Sequence, residues 1–355
     1  MFMKKNYFFI LYCYAGAGTE KVFCHTADSI LKNNPDAKIY LYVCQGFDKK
    51  YYVPENVTVV DSFSALKKIY KSSCNREVIN FSGFRPTSSA AFKLAGFKMI
   101  SWIHCNPFSM TVSKSWPLNF FLLKHSKKVI CVCKEQMEIL HKKFGFKNNV
   151  QVIYNPVNFP AILEKSKEEI PLKDKYFLMC ARMDFDSKDF FTVIDAYSKL
   201  PANLQNEYKL VFLGDGPDRP KVEEYISSKS VKDKIILTGF DSNPYRWMKN
   251  ASCGILSSKT EGFSLFPIEA FACGLPMIIT NYKTGAIELS DNNKNCFIVN
   301  VGDSDQMSQM MQTMVTDSDT IKNFKNNFTQ FIKNFSTENF NNQINTLFND
   351  GDKNE

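Results

Sequence analysis

The chain has 355 residues, 44% of them apolar and 23% charged, with a net charge of +8. That length and balance fit about two globular domains with sizeable cores, and they exclude a disordered or fibrous chain. The 11 cysteines are odd in number and carry no CxxC pair. Many sit in apolar runs such as Ile130-Cys131-Val132-Cys133, which argues for reduced core thiols against a disulfide framework or a metal site.

Taken in chain order, Tyr7 to Cys13 reads as a buried strand, too short for a membrane span and unlike a signal peptide, so a cytoplasmic protein is expected. Ala15-Gly-Ala-Gly18-Thr-Glu20 is a glycine turn, Lys21 to Lys32 a helix and Lys38 to Val43 a second strand, which together make a βαβ opening. Glu77 to Phe81, Lys98 to His104 and Lys128 to Val132 follow as strands, Lys134 to Phe144 as a helix and Val150 to Tyr154 as the last strand of the first half. Asn155-Pro-Val-Asn-Phe-Pro160 breaks the pattern and the charged, Pro-bearing segment Ala161 to Lys175 follows, so a boundary belongs there. Residues 1–158 and 159–330 are read as the two domains, and 331–355 as a C-terminal helix that returns to the first domain and frays beyond Phe348. The second half restarts at Tyr176 to Cys180 and continues through Leu210 to Leu213, Ile235 to Thr238, Cys253 to Leu256 and Met277 to Thr280. Alternating strands and helices imply parallel sheets covered on both faces, with ligands at the carboxyl ends of the strands.

The most informative stretch is Ser257-Ser-Lys-Thr-Glu261-Gly-Phe263-Ser264-Leu265-Phe-Pro-Ile-Glu269-Ala-Phe-Ala-Cys-Gly274-Leu-Pro276-Met-Ile-Ile-Thr280, preceded by the apolar run Cys253 to Leu256. It predicts strand, loop, helix and strand, with the helix over Leu265 to Cys273, Ser264 as N-cap, Pro267 in the first turn and Gly274 as the stop. A helix N-terminus of this kind suits a diphosphate, because its first N–H groups are unpaired and carry partial positive charge. Glu261 and Glu269 bracket that position. An ionised carboxylate only accepts hydrogen bonds, so each acid is a natural partner for sugar or ribose hydroxyls.

Glu261-x7-Glu269 followed by Ala-x-Ala-x-Gly-x-Pro resembles the signature of retaining glycosyltransferases of family 4. The resemblance implies the GT-B fold, an α/β architecture of two Rossmann-like domains whose parallel sheets face one another across a cleft, with acceptor in the first and nucleotide sugar in the second. It extends over nearly the whole chain in order. Gly18-Thr19-Glu20 is similar to the family's glycine turn near the donor phosphate, and Ser101-Trp-Ile-His104 to the strand ending in an active-site histidine. Arg182 and Lys188, in Ala181-Arg-Met-Asp-Phe-Asp-Ser-Lys-Asp189, resemble the pair that holds the diphosphate, although the spacing is one residue longer than in many members. Leu213-Gly-Asp-Gly-Pro217 and Leu237-Thr-Gly239-Phe240 with Asn243-Pro244-Tyr245 match family loops, the second facing the nucleobase through backbone groups, and Asn281-Tyr-Lys-Thr284-Gly285-Ala-Ile-Glu288 resembles a loop near the phosphates. Carried over, His104 and Glu261 are the catalytic residues; Gly18, Arg182, Lys188, Phe263, Ser264, Leu265 and Glu269 bind the donor; Gly239 and Phe240 form the nucleobase loop. Ser264 stands where members commonly have a second glycine, which bears on the sugar pocket. Retention of configuration follows from the resemblance alone, and whether Glu261 acts as a nucleophile or as a sugar-binding group stays open. Neither a metal nor any other cofactor is expected, since two cations and a helix terminus supply the charge that a diphosphate leaving group needs.

Charge is divided unevenly. Residues 1–160 hold 22 Lys+Arg against 9 Asp+Glu, and subtraction from the totals of 44 and 36 leaves 22 against 27 for the remainder. Within the basic half, Lys114 to Lys128 interleaves cations with Trp116, Phe120 and Phe121, a composition suited to peripheral contact with an anionic membrane surface. No nucleic-acid motif accompanies the charge. The expected partners are thus a nucleotide sugar, UDP being the expected nucleotide, and a lipid-linked saccharide acceptor of the kind used in lipopolysaccharide, capsule or O-antigen assembly. A GT-B-fold sugar-nucleotide epimerase is the alternative reading. A dinucleotide-dependent dehydrogenase is disfavoured because neither half carries a clean Gly-x-Gly-x-x-Gly after its first strand, and a binding-only homologue because both acids, both cations and His104 are present.

Overall fold

The computed structural model describes residues 5–14, 18–46, 52–73, 76–81, 96–108, 116–147 and 149–349. They divide into two compact units, one running to Pro156 and taking in the chain from Thr337 onward, the other spanning Val157–Ser336. Ala15, Gly16 and Ala17 of the glycine turn, and Lys114 and Ser115 of the basic segment, lie outside the described residues.

The first unit carries β1 (Asn6–Leu11), β2 (Lys38–Val43), β3 (Val57–Val60), β4 (Arg76–Asn80), β5 (Met99–Ile103), β6 (Lys128–Cys131) and β7 (Val150–Val152). They form one sheet in the order β3-β2-β1-β4-β5-β6-β7, every pairing parallel. Parallel crossovers put helices on both faces, so its central strands can be apolar throughout. β1, Asn-Tyr-Phe-Phe-Ile-Leu, is buried at all six positions.

β3 and the Phe63–Ser72 helix, which Ser62 caps by accepting from the Ala65 N–H at 3.2 Å, go beyond the sequence reading. β3 is an edge strand with only Val60 buried, so it shows no continuous apolar run. Its helix nevertheless seals a core of Phe8, Ile10, Leu66, Tyr70, Val78 and Phe97, with Tyr70 and Phe97 stacked at 4.0 Å.

The second unit carries β8 (Lys175–Cys180), β9 (Tyr208–Leu213), β10 (Ile235–Gly239), β11 (Cys253–Leu256), β12 (Met277–Thr280) and β13 (Phe297–Val299), ordered β10-β9-β8-β11-β12-β13 and again all parallel. β13, a three-residue edge strand, is also absent from the sequence reading. In each sheet the chain winds outward from its first strand and then returns to that strand's other side, which creates a switch point between β1 and β4 and another between β8 and β11. Diverging connections there leave room for a ligand at the carboxyl edge.

The C-terminal region splits. The Ser318–Phe331 helix stays with the second unit, while Thr337–Asn349 belongs to the first. Phe340, Ile344, Leu347 and Phe348 are buried at helical spacing. Phe348 meets Tyr7 edge-on at 5.0 Å, Phe340 lies 6.2 Å from Trp102, and Lys5 Nζ donates to the Phe348 carbonyl at 2.8 Å. Every described cysteine is a free thiol, and Cys131, Cys133, Cys253, Cys273 and Cys296 are buried. No helix among the described residues is long and apolar enough to cross a membrane.

The helix after β11 corrects one expectation. It runs Phe266–Ala272 with Leu265 as N-cap and no side-chain cap bond, so Ser264 does not cap it. Leu265 already has helical dihedrals (φ −81°, ψ −23°), which puts Ser264 one position too early to reach the second or third helical N–H. Pro267 in the first turn and left-handed Gly274 (φ +77°) after the last are as the pattern predicts.

Candidate functional site

The loop after β8 is clamped by its neighbours. Ala181 N donates to Leu213 O and Met183 N to Asp215 O, both at 3.0 Å, so the backbone on either side of Arg182 is stitched to the loop after β9. Asp218 fastens the far side, its N–H donating to Met183 O at 3.1 Å and its carboxylate accepting from Phe185 N at 2.9 Å. This explains the Gly-Asp-Gly triplet. A Cβ on Gly214 would lie 2.1 Å from Ala181 O, and one on Gly216 2.3 Å from Met183 O, closer than any real contact. The Arg182 side chain, on this fixed backbone, is exposed and makes no ion pair among the described residues.

Lys188 ends the same loop and takes a different direction. Its ammonium is ion-paired and hydrogen-bonded to Glu261 Oε1, with the two side chains 15% and 18% exposed. Ser258 joins them: its Oγ accepts from Lys188 Nζ at 3.2 Å and donates to Glu261 Oε1 at 2.8 Å. The backbones are locked as well, through an antiparallel bridge between Lys188 and Ser258, Asp189 N donating to Ser257 O at 2.9 Å and Lys259 N to Ser187 O at 2.8 Å. Lys188 and Glu261, assigned by resemblance to different parts of a ligand, therefore form one unit before any ligand arrives.

The remainder of the Glu261 loop is held from the β12 side. Thr260 bridges Lys283, and the Thr284 hydroxyl donates to the Glu261 carbonyl. Phe263 turns its ring into the core, stacked on Phe335 at 5.7 Å and packed over Gly285, where a Cβ would fall 2.6 Å from the ring. Any contact of Phe263 with a ligand thus comes from its backbone. Ser264 is buried and Leu265 half-buried. One turn into the helix, Glu269 accepts from Tyr245 Oη at 3.2 Å.

At the end of β10, Gly239 is left-handed (φ +78°) and its carbonyl accepts from Gly214 N at 2.8 Å. Phe240 next to it is 80% exposed. The loop is stiff despite this, because the Asp241 carboxylate accepts from Asn243 N, Arg246 Nη2 and Trp247 Nε1, each at 2.8 Å. Burial pushes the Asp241 carboxyl upward, and these hydrogen bonds with the Arg246 charge outweigh it, leaving the pKa below the ordinary value. Arg182, Lys188, Glu261, Phe263, Ser264, Leu265, Glu269, Gly239 and Phe240 thus all lie on loops or a helix start at the carboxyl edge of the second sheet.

His104 and Gly18 belong to the first unit, at the carboxyl ends of β5 and β1. Gly18 is the exposed first residue of the Gly18–Asn33 helix. The His104 ring stacks on Phe81 at 5.2 Å and on Trp102 at 5.8 Å, with Nε2 buried and without a partner among the described residues. Burial pushes its pKa down to about 3, so the imidazole is neutral near pH 7. Gln136, fully buried, braces this loop, donating to Cys105 O at 3.1 Å and accepting from Val132 N at 2.9 Å.

Ser258, Thr280, Thr284, Tyr245 and Gln136 are contributors to which the sequence reading gave no individual role. All but Gln136 lie in segments that it singled out, and spacing along the chain does not say which polar side chain of a segment will be turned toward a charged partner.

The basic segment is divided by its helix, Trp116–Lys124. Phe120 packs inward on Phe144 at 4.2 Å, within a core that includes Leu123 and Leu140. Leu118 and Phe121 are exposed, at 45% and 55%, and Lys124 is exposed as well.

Comparison with known proteins bears on the family and the fold. The family model for glycosyl transferases group 1 matches residues 162–331, and that for glycosyltransferase family 4 matches residues 21–159. An N-acetylgalactosamine-N,N'-diacetylbacillosaminyl-diphospho-undecaprenol 4-alpha-N-acetylgalactosaminyltransferase from Campylobacter jejuni is 33% identical over 194 residues, covering 54% of this chain and 52% of the relative. A lipopolysaccharide 1,6-galactosyltransferase from Salmonella typhimurium is 25% identical over 289 residues, covering 76% and 77%. The chain spans about half the length of the first curated relatives it matches. Among solved structures, Anabaena HepE in complex with UDP superposes with a TM-score of 0.78 at 16% identity, covering 97% of this chain and 99% of that one. With two Rossmann-like parallel-sheet domains and both family models matched in succession, the chain belongs to glycosyltransferase family 4, the group 1 glycosyl transferases of GT-B fold.

Proposed function

We propose that this protein is a retaining glycosyltransferase that moves a hexosyl or N-acetylhexosaminyl unit from a UDP-sugar to a lipid-linked saccharide during lipopolysaccharide, capsule or O-antigen assembly. The observation that carries the reading is the charge arrangement at the β8/β11 switch point. An exposed Arg182 on a clamped loop, a Lys188–Ser258–Glu261 unit and the hydrogen-bonded Glu269 lie on adjoining carboxyl-edge segments of one sheet. Relatives named for undecaprenol-diphosphate-linked and lipopolysaccharide substrates support the acceptor class, and the UDP complex of HepE supports the nucleotide.

In this reading Arg182 and the backbone N–H groups of Phe263 to Phe266 take the diphosphate, Glu269 the ribose hydroxyls, and the Gly239–Phe240 loop the base. Glu261, kept in place by Lys188, accepts from sugar hydroxyls. As the glycosidic bond breaks, negative charge grows on the diphosphate, and donors already fixed in place stabilise it without reorganising. The chemistry then runs without a metal. His104, kept neutral near pH 7 by desolvation of its ring, offers a hydrogen-bonding group at the carboxyl end of β5. Leu118, Phe121 and Lys124 form an apolar and basic face suited to peripheral contact with an anionic membrane.

The test is binding of a panel of nucleotide sugars, without acceptor or added metal, to the wild type and to Glu269→Ala. Stabilisation by a UDP-sugar that the variant loses supports the reading. Binding of no nucleotide sugar refutes it, and release of an altered nucleotide sugar without acceptor favours an epimerase.

A further inference from the structure

Building on the proposed donor site, we infer that Ser258 is a positioning residue that aims Glu261 at the donor sugar through the Lys188 ion pair. Three features separate it from an ordinary buried serine. It is fully buried, yet its hydroxyl is spent wholly on the site: Oγ accepts from Lys188 Nζ at 3.2 Å and donates to Glu261 Oε1 at 2.8 Å. Its backbone is fixed from the opposite side by Thr280, whose Oγ1 accepts from Ser258 N at 2.8 Å and donates to Ser258 O at 2.7 Å. It also lies in an antiparallel bridge with Lys188 itself. The backbone that carries the hydroxyl is thus held by Thr280 on β12, and the hydroxyl presents one lone pair and one proton to the two members of the pair.

The chemical consequence is directional. Ser258 and Lys188 both engage Glu261 Oε1, so one carboxylate oxygen is committed to the protein and Oε2 is the atom set toward a ligand hydroxyl. A carboxylate held by one oxygen cannot rotate freely, so the entropy of orienting it is already spent before substrate binds. Lys188 spends two of its three ammonium protons on Glu261 and Ser258.

The test uses the full chain with ε-13C-labelled lysine, the Lys188 signal being assigned by its loss in Lys188→Met. In Ser258→Ala the Lys188 signal shifts, and the preference for UDP-sugar over UDP falls about tenfold, as expected for one hydrogen bond to a charged group, while affinity for UDP itself stays within about twofold. Ser258→Thr, which keeps the hydroxyl, restores both. An unmoved Lys188 signal in Ser258→Ala overturns the inference. Equal losses of UDP and UDP-sugar binding overturn it too, because they mark a merely structural role. If the wild type binds no nucleotide sugar, the proposed function falls and the sugar-aiming role falls with it. The lysine signal then still reads whether Ser258 holds the pair, so the two failures are distinguishable.

Discussion

Replacing Glu261 by Gln strands the Lys188 ammonium in a pocket where only 15% of its side chain is exposed. Fully exposed ion pairs contribute about 0–1 kcal/mol, whereas removing one partner of a fully buried pair costs about 3–5 kcal/mol. With partners 15% and 18% exposed, an intermediate cost of about 2 kcal/mol is expected for Glu261→Gln, since the amide retains a hydrogen bond to the lysine and loses only the charge. Replacing Lys188 as well, by Met, removes the stranded cation. The double variant should therefore be more stable than the sum of the single effects predicts, with a coupling energy of about 1–2 kcal/mol. Urea unfolding followed by the fluorescence of Trp247, whose indole donates to Asp241 within the second unit, measures each corner of the cycle. Additive effects within about 0.3 kcal/mol, or a Glu261→Gln cost below about 0.5 kcal/mol, would refute the claim that the pair is a desolvated, preformed unit.

Gly216→Ala drives a Cβ to 2.3 Å from the Met183 carbonyl; with backbone on both sides unable to yield, a stability loss of about 2–3 kcal/mol is expected by thermal melting, together with weakened UDP-sugar binding through the displaced Arg182 loop. Tyr245→Phe removes the hydroxyl that donates to Glu269 and should weaken UDP-sugar binding about fivefold in calorimetry with little change in melting temperature. His104 has a folded pKa of about 3 against an ordinary 6.5. In that window the unfolded chain binds the proton and the folded one does not, so stability contributed by neutral His104 is present above pH 6.5 and is lost as the pH falls toward the folded value. The wild type should lose about 1.4 kcal/mol per pH unit relative to His104→Phe across this range; parallel stability profiles in urea titrations at each pH would contradict it. Flotation with phosphatidylglycerol vesicles should fall several-fold for Leu118→Ser/Phe121→Ser and with rising salt; unchanged flotation would remove the membrane contact from the reading.

Much of this molecule is legible in its sequence because much of it is dictated locally. Apolar runs such as Tyr176 to Cys180 and Cys253 to Leu256 can only be buried strands, and the turns that follow them can only lie at the strands' carboxyl ends. Once strand and helix alternate, a parallel sheet follows, and the Glu261-x7-Glu269 spacing then sets one acid on a loop and the other on a helix. Two of the four edge strands were not legible. Val57–Val60 and Phe297–Val299 are held by a single neighbour, so their identity depends on a sheet already formed elsewhere in the chain. The Ser264 cap failed because Leu265 already has helical dihedrals, a backbone choice that residue types alone did not reveal.

What only the tertiary structure decided is who pairs with whom. Lys188 and Glu261 are 73 residues apart, and no spacing rule joins a lysine after β8 to a glutamate after β11. They meet because β8 and β11 are neighbours, which places their loops side by side and lets Ser258 bridge them. Sequence determined which residue types reach the carboxyl edge. The adjacency of strands determined that one cation would remain exposed at Arg182 while the other, at Lys188, would be bound to the acid beside it.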